Sequence, residues 1–254
     1  MTTTQIIGFA GKKQSGKNCA CNFILATKLA ELGICRASRL SPKGGIEVTD
    51  IFDLSSTDGD EWFPFEPPHV ATESLFENEL GRYVKLYSFA EKLKRLAIDL
   101  LGLKEEWVFG TDAQKNTKTH LKWESFSDSK TGEMTAREVL QHVGTDIFRS
   151  LNENVLIDSC FRQIEEENPE LALISDVRFK NEIKGIQDRG GFVIGLTRGS
   201  AKRKKKDNHA SETEIGESLD LCDIIIDNTD LTIPEQNEAI YNAIKELNFI
   251  PDIT

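Results

Sequence analysis

Short apolar runs alternate with stretches of helical periodicity along this chain. Gln5–Ala10 (QIIGFA) is apolar up to a glycine and predicts a buried strand. Lys17–Leu32 follows, with Ala20, Phe23, Ile24 and Leu29 at helical spacing and Gly33 where a C′ glycine would stand. Tyr83–Phe89 predicts a second strand, running into a helix over Ala90–Leu101 with Leu93, Leu96, Ala97, Leu100 and Leu101 on one face. Thr135 and Glu138 form a T-x-x-E capping box and open a third helix. Leu171–Val177 is a further apolar run, followed by a helix through Ile186 that Gly190 and Gly191 stop. Phe192–Thr197 and Asp223–Asp227 read as two more buried strands. A last helix opens at Thr232, with Pro234 early and Glu235 three residues on, and continues to about Asn248.

The strands are apolar throughout rather than alternating, and helices separate them. That pattern predicts an α/β fold, a parallel central sheet covered by helices on both faces. Ligands of such sheets bind beyond the carboxyl ends of the strands. The stretches to watch are therefore Gly11–Asn18, Ser88–Lys94, Ser175–Glu182, Arg198–Glu212 and Asn228. Two regions break the pattern. Residues 36–82, rich in Pro, Gly, Ser and acids, read as an insertion or subdomain within a single domain spanning 1–254, with a hairpin around Ile46–Phe52. Residues 105–132 read as polar and irregular.

Composition narrows the class. Of the 254 residues, 39% are hydrophobic and 29% charged, as expected of a soluble globular chain. No apolar run approaches the roughly 18 residues of a membrane span, and no signal peptide is evident, so a cytoplasmic protein with no membrane partner is expected. Net charge is −11, from 31 Lys+Arg against 42 Asp+Glu. That disfavours direct nucleic-acid binding but leaves room for a small anion in a cationic cleft. The five cysteines include no C-x-x-C pair and no His at zinc spacing, so reduced structural thiols are expected.

The strongest motif lies between the first strand and the first helix. Gly11-Lys-Lys-Gln-Ser-Gly16-Lys17-Asn18 matches G-x-x-x-x-G-K and departs from the usual Ser/Thr at Asn18. Glycines let backbone N–H groups turn around phosphate oxygens, and the helix N-terminus adds partial positive charge. Lys17 would reach the outer phosphates of a nucleotide. The bland alternative is a glycine turn with a solvated lysine. At Asn18 a carbonyl oxygen replaces the hydroxyl that would ligate Mg²⁺, so a metal would lean on the nucleotide's own phosphates and on Asp176.

Other groups face the same edge. On α spacing, Arg137, Gln141, Gly144 and Thr145 share a polar stripe opposite Val139, Leu140, Val143 and Ile147. Arg137 can grip a phosphate, Gln141 can pair with a base edge, and close approach of a ligand would explain Gly144. An exposed helix face with a tolerated glycine is the alternative. Asp176 ends a strand and Arg178 lies four residues before Glu182; these could order metal-bound water and neutralise a phosphate, or form a helix start with a structural ion pair. Arg198 precedes a run of cations, Lys202–Lys206, in a segment 199–210 that reads as a lid over polyphosphate or as a solvated loop. His209 would touch the substrate or support a Ser211/Glu214 capping box.

Taken in order, GKKQSGK, YSFAEKLK, FGTDAQKN, MTAREVLQHVGTDIFR, ISDVRFKNE, HASE and DIIIDN resemble the phage-type deoxynucleoside monophosphate kinases. The resemblance spans nearly the whole chain outside 36–82. It implies a P-loop kinase fold and transfer of the γ-phosphate of ATP, with Mg²⁺, to a deoxynucleoside 5′-monophosphate for DNA precursor synthesis; members are often dimers. It also implies residue roles. Gln14, Gly16, Lys17, Asn18 and Cys19, with Gly11, Ser15 and Arg198, would contact ATP, and Lys13 would approach the acceptor phosphate. Leu93 and Lys94 would lie at the acceptor, Arg137, Gln141, Gly144 and Thr145 would hold the monophosphate and its base, and Asp176, Arg178 and Glu182 would complete the site. Two other readings stay open here: a P-loop kinase for another small acceptor such as dephospho-coenzyme A, and a non-catalytic nucleotide-dependent switch.

Overall fold

In the computed structural model the described residues are 4–49, 61–65, 80–126, 130–199, 215 and 218–246. In chain order the elements are β1 (Gln5–Ala10), α1 (Lys17–Glu31), β2 (Ala37–Leu40), β3 (Ile46–Thr49), β4 (Phe63–Phe65), β5 (Val84–Tyr87), α2 (Glu91–Asp99), α3 (Glu105–Phe109) and α4 (Asp112–Lys115). Then come β6 (Lys118–Lys122), β7 (Glu133–Thr135), α5 (Ala136–Gln141), a π-helical segment His142–Phe148, α6 (Arg149–Leu151), α7 (Val155–Glu167), β8 (Leu171–Val177), α8 (Lys180–Gln187), β9 (Phe192–Thr197), β10 (Ile224–Asp227) and α9 (Ile233–Glu246). They gather into two compact units: residues 1–87 with 164–254, and residues 88–163.

The first unit is built on a five-stranded sheet, β10-β9-β1-β8-β5, with every pairing parallel. Because β1 is central, both its faces must be apolar, which is why QIIGFA does not alternate. Ile7 and Phe9 point into a core shared with Ile24, Leu25 and Leu29 of α1 and Ile240 and Ile244 of α9. On the opposite face Ile186 of α8 approaches Gly8. Burying a side chain such as Ile7, Phe9 or Ile24 contributes about 1.5–3 kcal/mol. The register sets Ala10 against Val177 on one side and Gly195 on the other. The carboxyl ends of β1, β8 and β9 therefore finish together, and the loop after β1 emerges among them.

Gly33 (φ 65°) closes α1 as expected. Thr232 opens α9 through a reciprocal pair with Glu235, whose carboxylate accepts from the Thr232 amide at 2.8 Å. The expected extension of that helix to Asn248 lies outside the described residues. No helix among the described residues is long and apolar enough to cross a membrane.

Three expectations need correction. The hairpin placed around Ile46–Phe52 begins earlier: β2 and β3 form it, turning at Ser41–Gly45, and β4 adds a third antiparallel strand. Its period-two alternation is too short to stand out from the Pro- and Gly-rich flanks. Residues 105–126 are not irregular. Thr111 and Gln114 form a capping box that opens α4, and β6 pairs with β7. Trp123 and Val108 are buried with Met134 and Val139 in the second unit's core. Finally, the helix opening at Thr135 turns π-helical at His142. Residues 50–60 and 66–79 of the expected insertion, and 200–210 of the expected lid with His209, Ser211 and Glu214, lie outside the described residues.

Candidate functional site

The loop between β1 and α1 is a tight turn. Gly11 (φ 149°), Gln14 (φ 61°) and Gly16 (φ 97°) all take left-handed backbone. Gly11 needs its missing side chain: a Cβ there would lie 2.5 Å from both the Leu196 carbonyl oxygen and Ser15 Oγ. Gln14 adopts the same region despite its Cβ, at a cost of about 1 kcal/mol. Such conformations turn successive N–H groups to one side.

The Lys17 side chain curls back under this turn and is only 6% exposed. Its Nζ donates to the carbonyls of Gly11 and Lys12, at 2.7 Å each, and lies 3.5 Å from Ser15 Oγ. The buried head group is thus held beneath the loop by carbonyls of the turn itself. Asn18, in the first turn of α1, is exposed, as are Lys12 and Gln14, while Lys13 and Cys19 are half-buried.

The neighbouring strand ends contribute the rest of this unit's groups. Burial pushes the Cys21 thiol up, the Asp176 carboxylate pushes it the same way, and Lys17 opposes both. Asp176 and Lys17 thus bear on the same buried thiol. Burial also raises the Cys19 thiol, against the pull of the Arg198 guanidinium. Arg198 is itself exposed at the end of β9. The structure therefore brings Lys17, Asp176, Arg198 and the loop to one edge. Among the described residues no group of three or more His, Cys, Asp or Glu could hold a metal ion.

Glu182 works on the main chain. It is 2% exposed. Its carboxylate accepts from the amides of Arg178 (2.6 Å) and Phe179 (3.0 Å), fixing the turn from β8 into α8. Glu182→Ala should strand both amides and cost about 1–3 kcal/mol. That is a fall in Tm of several degrees, checked by thermal melting. Glu182→Gln keeps an acceptor and should lose less; equal melting of all three proteins would contradict this role.

The second unit holds the other group. Arg137 Nη2 donates to Asp112 (2.8 Å) and its Nε to Asn116 (3.2 Å), so FGTDAQKN and α5 are tied together through this guanidinium. Lys94 lies 5.1 Å from the centre of the Phe109 ring. Gly144 is buried, and a Cβ there would lie 2.6 Å from Leu93 Cδ2. The close approach that the sequence assigned to a ligand is made by Leu93. Gly144 and Thr145 sit in the π segment, where bonds run i→i+5, so the α spacing that aligned them with Arg137 and Gln141 does not apply across it.

Sequence reasoning missed Asn228 and Gln236 as a pair. Asn228 is 0% exposed just after β10, and Gln236 is 3% exposed in the first turn of α9. Asn228 Nδ2 donates at 2.6 Å to the Ser15 carbonyl and at 2.6 Å to Gln236 Oε1. Asn228 stood out only as a strand end; nothing local marks Gln236.

A family model described as deoxynucleotide monophosphate kinase matches residues 86–238. A protein of Acanthamoeba polyphaga mimivirus, named as a deoxynucleotide monophosphate kinase, is 31% identical over 169 residues, which is 62% of this chain and 81% of that protein.

Proposed function

This chain belongs to the deoxynucleotide monophosphate kinase family, and we propose that it moves the γ-phosphoryl group of ATP to a deoxynucleoside 5′-monophosphate, giving a deoxynucleoside diphosphate and ADP. The observation that carries the reading is the loop itself: left-handed backbone at Gly11, Gln14 and Gly16, with the Lys17 ammonium held beneath it. The acceptor oxygen is already an anion at neutral pH, so no strong base is needed. The work left to the protein is positioning and charge neutralisation.

On this reading the amides of residues 11–19 and Lys17 hold the donor's phosphates, with Gln14, Ser15 and Cys19 lining the same turn. Lys13 and Arg178 neutralise the transferred group, and Arg198 covers the donor. Lys94, Arg137, Gln141 and Thr145 serve the monophosphate, with Leu93 and Gly144 packed behind them. The Arg137 guanidinium is already oriented by Asp112 and Asn116, which lowers the entropy cost of gripping a phosphate. Mg²⁺ would supply electrostatic shielding between the phosphates. The oxygens of Asn18 and Asp176 suit a hard cation that takes most of its ligands from phosphate and water.

The test offers dAMP, dCMP, dGMP, dTMP and dephospho-coenzyme A in turn with ATP and Mg²⁺, and resolves products by chromatography. ADP and a deoxynucleoside diphosphate should appear together, in equal amounts, only with deoxynucleoside monophosphates. ATP hydrolysis indifferent to all acceptors, or product from dephospho-coenzyme A alone, would overturn the reading.

A further inference from the structure

A cradle of backbone amides works only if the carbonyls between them face away from the anion. In this loop the carbonyls of Gly11 and Lys12 are turned back by Lys17. That restraint is conditional, because a polyphosphate competes for the same ammonium. The Ser15 carbonyl is held differently. It accepts from Asn228, a neutral donor on another strand end, whose own backbone amide is anchored on the Thr197 carbonyl at 2.9 Å. Gln236 Oε1 takes the second proton of the same Asn228 amino group and fixes its direction.

The pair is expensive. Asn228 Oδ1 and Gln236 Nε2 are buried without a hydrogen-bond partner among the described residues. Buried polar atoms left unpaired cost stability, and two apolar side chains would fill the space more cheaply. Gly16 is also tied to the pair: a Cβ there would collide with Gln236 Oε1 and lie 2.9 Å from Asn228 Nδ2. The loop, Asn228 and Gln236 interlock without space for any other residue at position 16.

We infer that Asn228 and Gln236 are positioning residues for phosphoryl transfer: Asn228 holds the Ser15 carbonyl out of the phosphate cradle, and Gln236 acts through Asn228. The inference rests on the loop being the ATP site proposed above. Unlike Lys17, this clamp stays in place when the nucleotide binds. It therefore contributes to affinity for the donor and not to affinity for the acceptor.

The experiment compares wild type, Asn228→Ala, Gln236→Met and the double variant. It measures Kd for ATP·Mg²⁺ by calorimetry, kcat, and KM for ATP and for the preferred monophosphate, beside a thermal melt. Asn228→Ala should raise the ATP Kd about tenfold, the size expected when one well-placed hydrogen bond is lost. The monophosphate KM should stay within about twofold, because no contact to the acceptor changes. Gln236→Met should do the same more mildly and add nothing in the Asn228→Ala background, since residues acting through one another are not additive. ATP affinity unchanged in both single variants while melting falls would reduce the pair to a structural contact and overturn the inference. So would additive effects in the double variant. Wild-type protein that fails to bind ATP would instead remove the donor reading, and this inference with it.

Discussion

Lys17→Ala should lower turnover by at least about a hundredfold, the scale of removing one preorganised charged donor from a transfer site. Two effects combine. The ammonium lies directly beneath the turn, 2.7 Å from the carbonyl oxygens of both Gly11 and Lys12. Its loss removes positive charge where charge develops in the transferring group. It also releases the Gly11 carbonyl and leaves that of Lys12 to the Ser15 amide alone (3.2 Å), so both can turn more easily toward the phosphates. The first effect lowers kcat and the second weakens ATP binding, so kcat/KM for ATP falls more than either alone. The fold should survive. Only the bond to Gly11 is lost from a buried position; the bond to Lys12 is part-buried, beside exposed Lys12 and Gln14, and the Lys12 carbonyl keeps the Ser15 amide. Far-ultraviolet circular dichroism should match wild type, with a melting shift of a few degrees. Lys17→Arg tests geometry rather than charge: a planar guanidinium does not reproduce a compact ammonium between two carbonyls and should rescue poorly. Turnover within threefold of wild type in Lys17→Ala would remove the lysine from the reaction.

What the sequence discloses here is what depends on neighbours along the chain. β1 is legible to the residue because a central parallel strand is apolar on both faces, and α1 because its buried positions recur at helical spacing. The capping boxes at Thr135 and Thr232 are local chemistry, and both are present. The helix Val155–Glu167 was equally readable: Leu156, Ile157, Cys160, Phe161 and Ile164 recur at helical spacing and are all buried. The π segment is a different case. The local sequence of His142–Phe148 carries no sign of its i→i+5 bonding, nor of Leu93 standing where a Cβ on Gly144 would go. The Asn228 clamp is harder still. Its partner Ser15 stands 213 residues away, and parallel register alone brings them together.

Gly16→Ala is the sharper test of that arrangement, and it should cost both stability and donor affinity. Gly16 precedes α1 with φ 97° and ψ 4°. An L residue there is strained by about 1–2 kcal/mol before any contact is considered. Contact then adds to strain, because the new methyl would enter space held by Gln236 Oε1 and Asn228 Nδ2. Neither amide can yield freely, since each is buried and bonded to the other. The loop must shift, and the Ser15 carbonyl is the atom it carries with it. Gly33→Ala separates the two costs. Gly33 also has positive φ, 65°, but nothing lies within 4 Å of its would-be Cβ. That variant should lose about 1 kcal/mol of stability and keep full ATP affinity. Gly16→Ala should lose more stability and at least about tenfold in ATP affinity, because strain and collision fall on the atoms that shape the cradle. Matching ATP affinities in the two variants would mean that position 16 matters to the helix start alone, and that the packing of Gln236 against it has no bearing on the nucleotide.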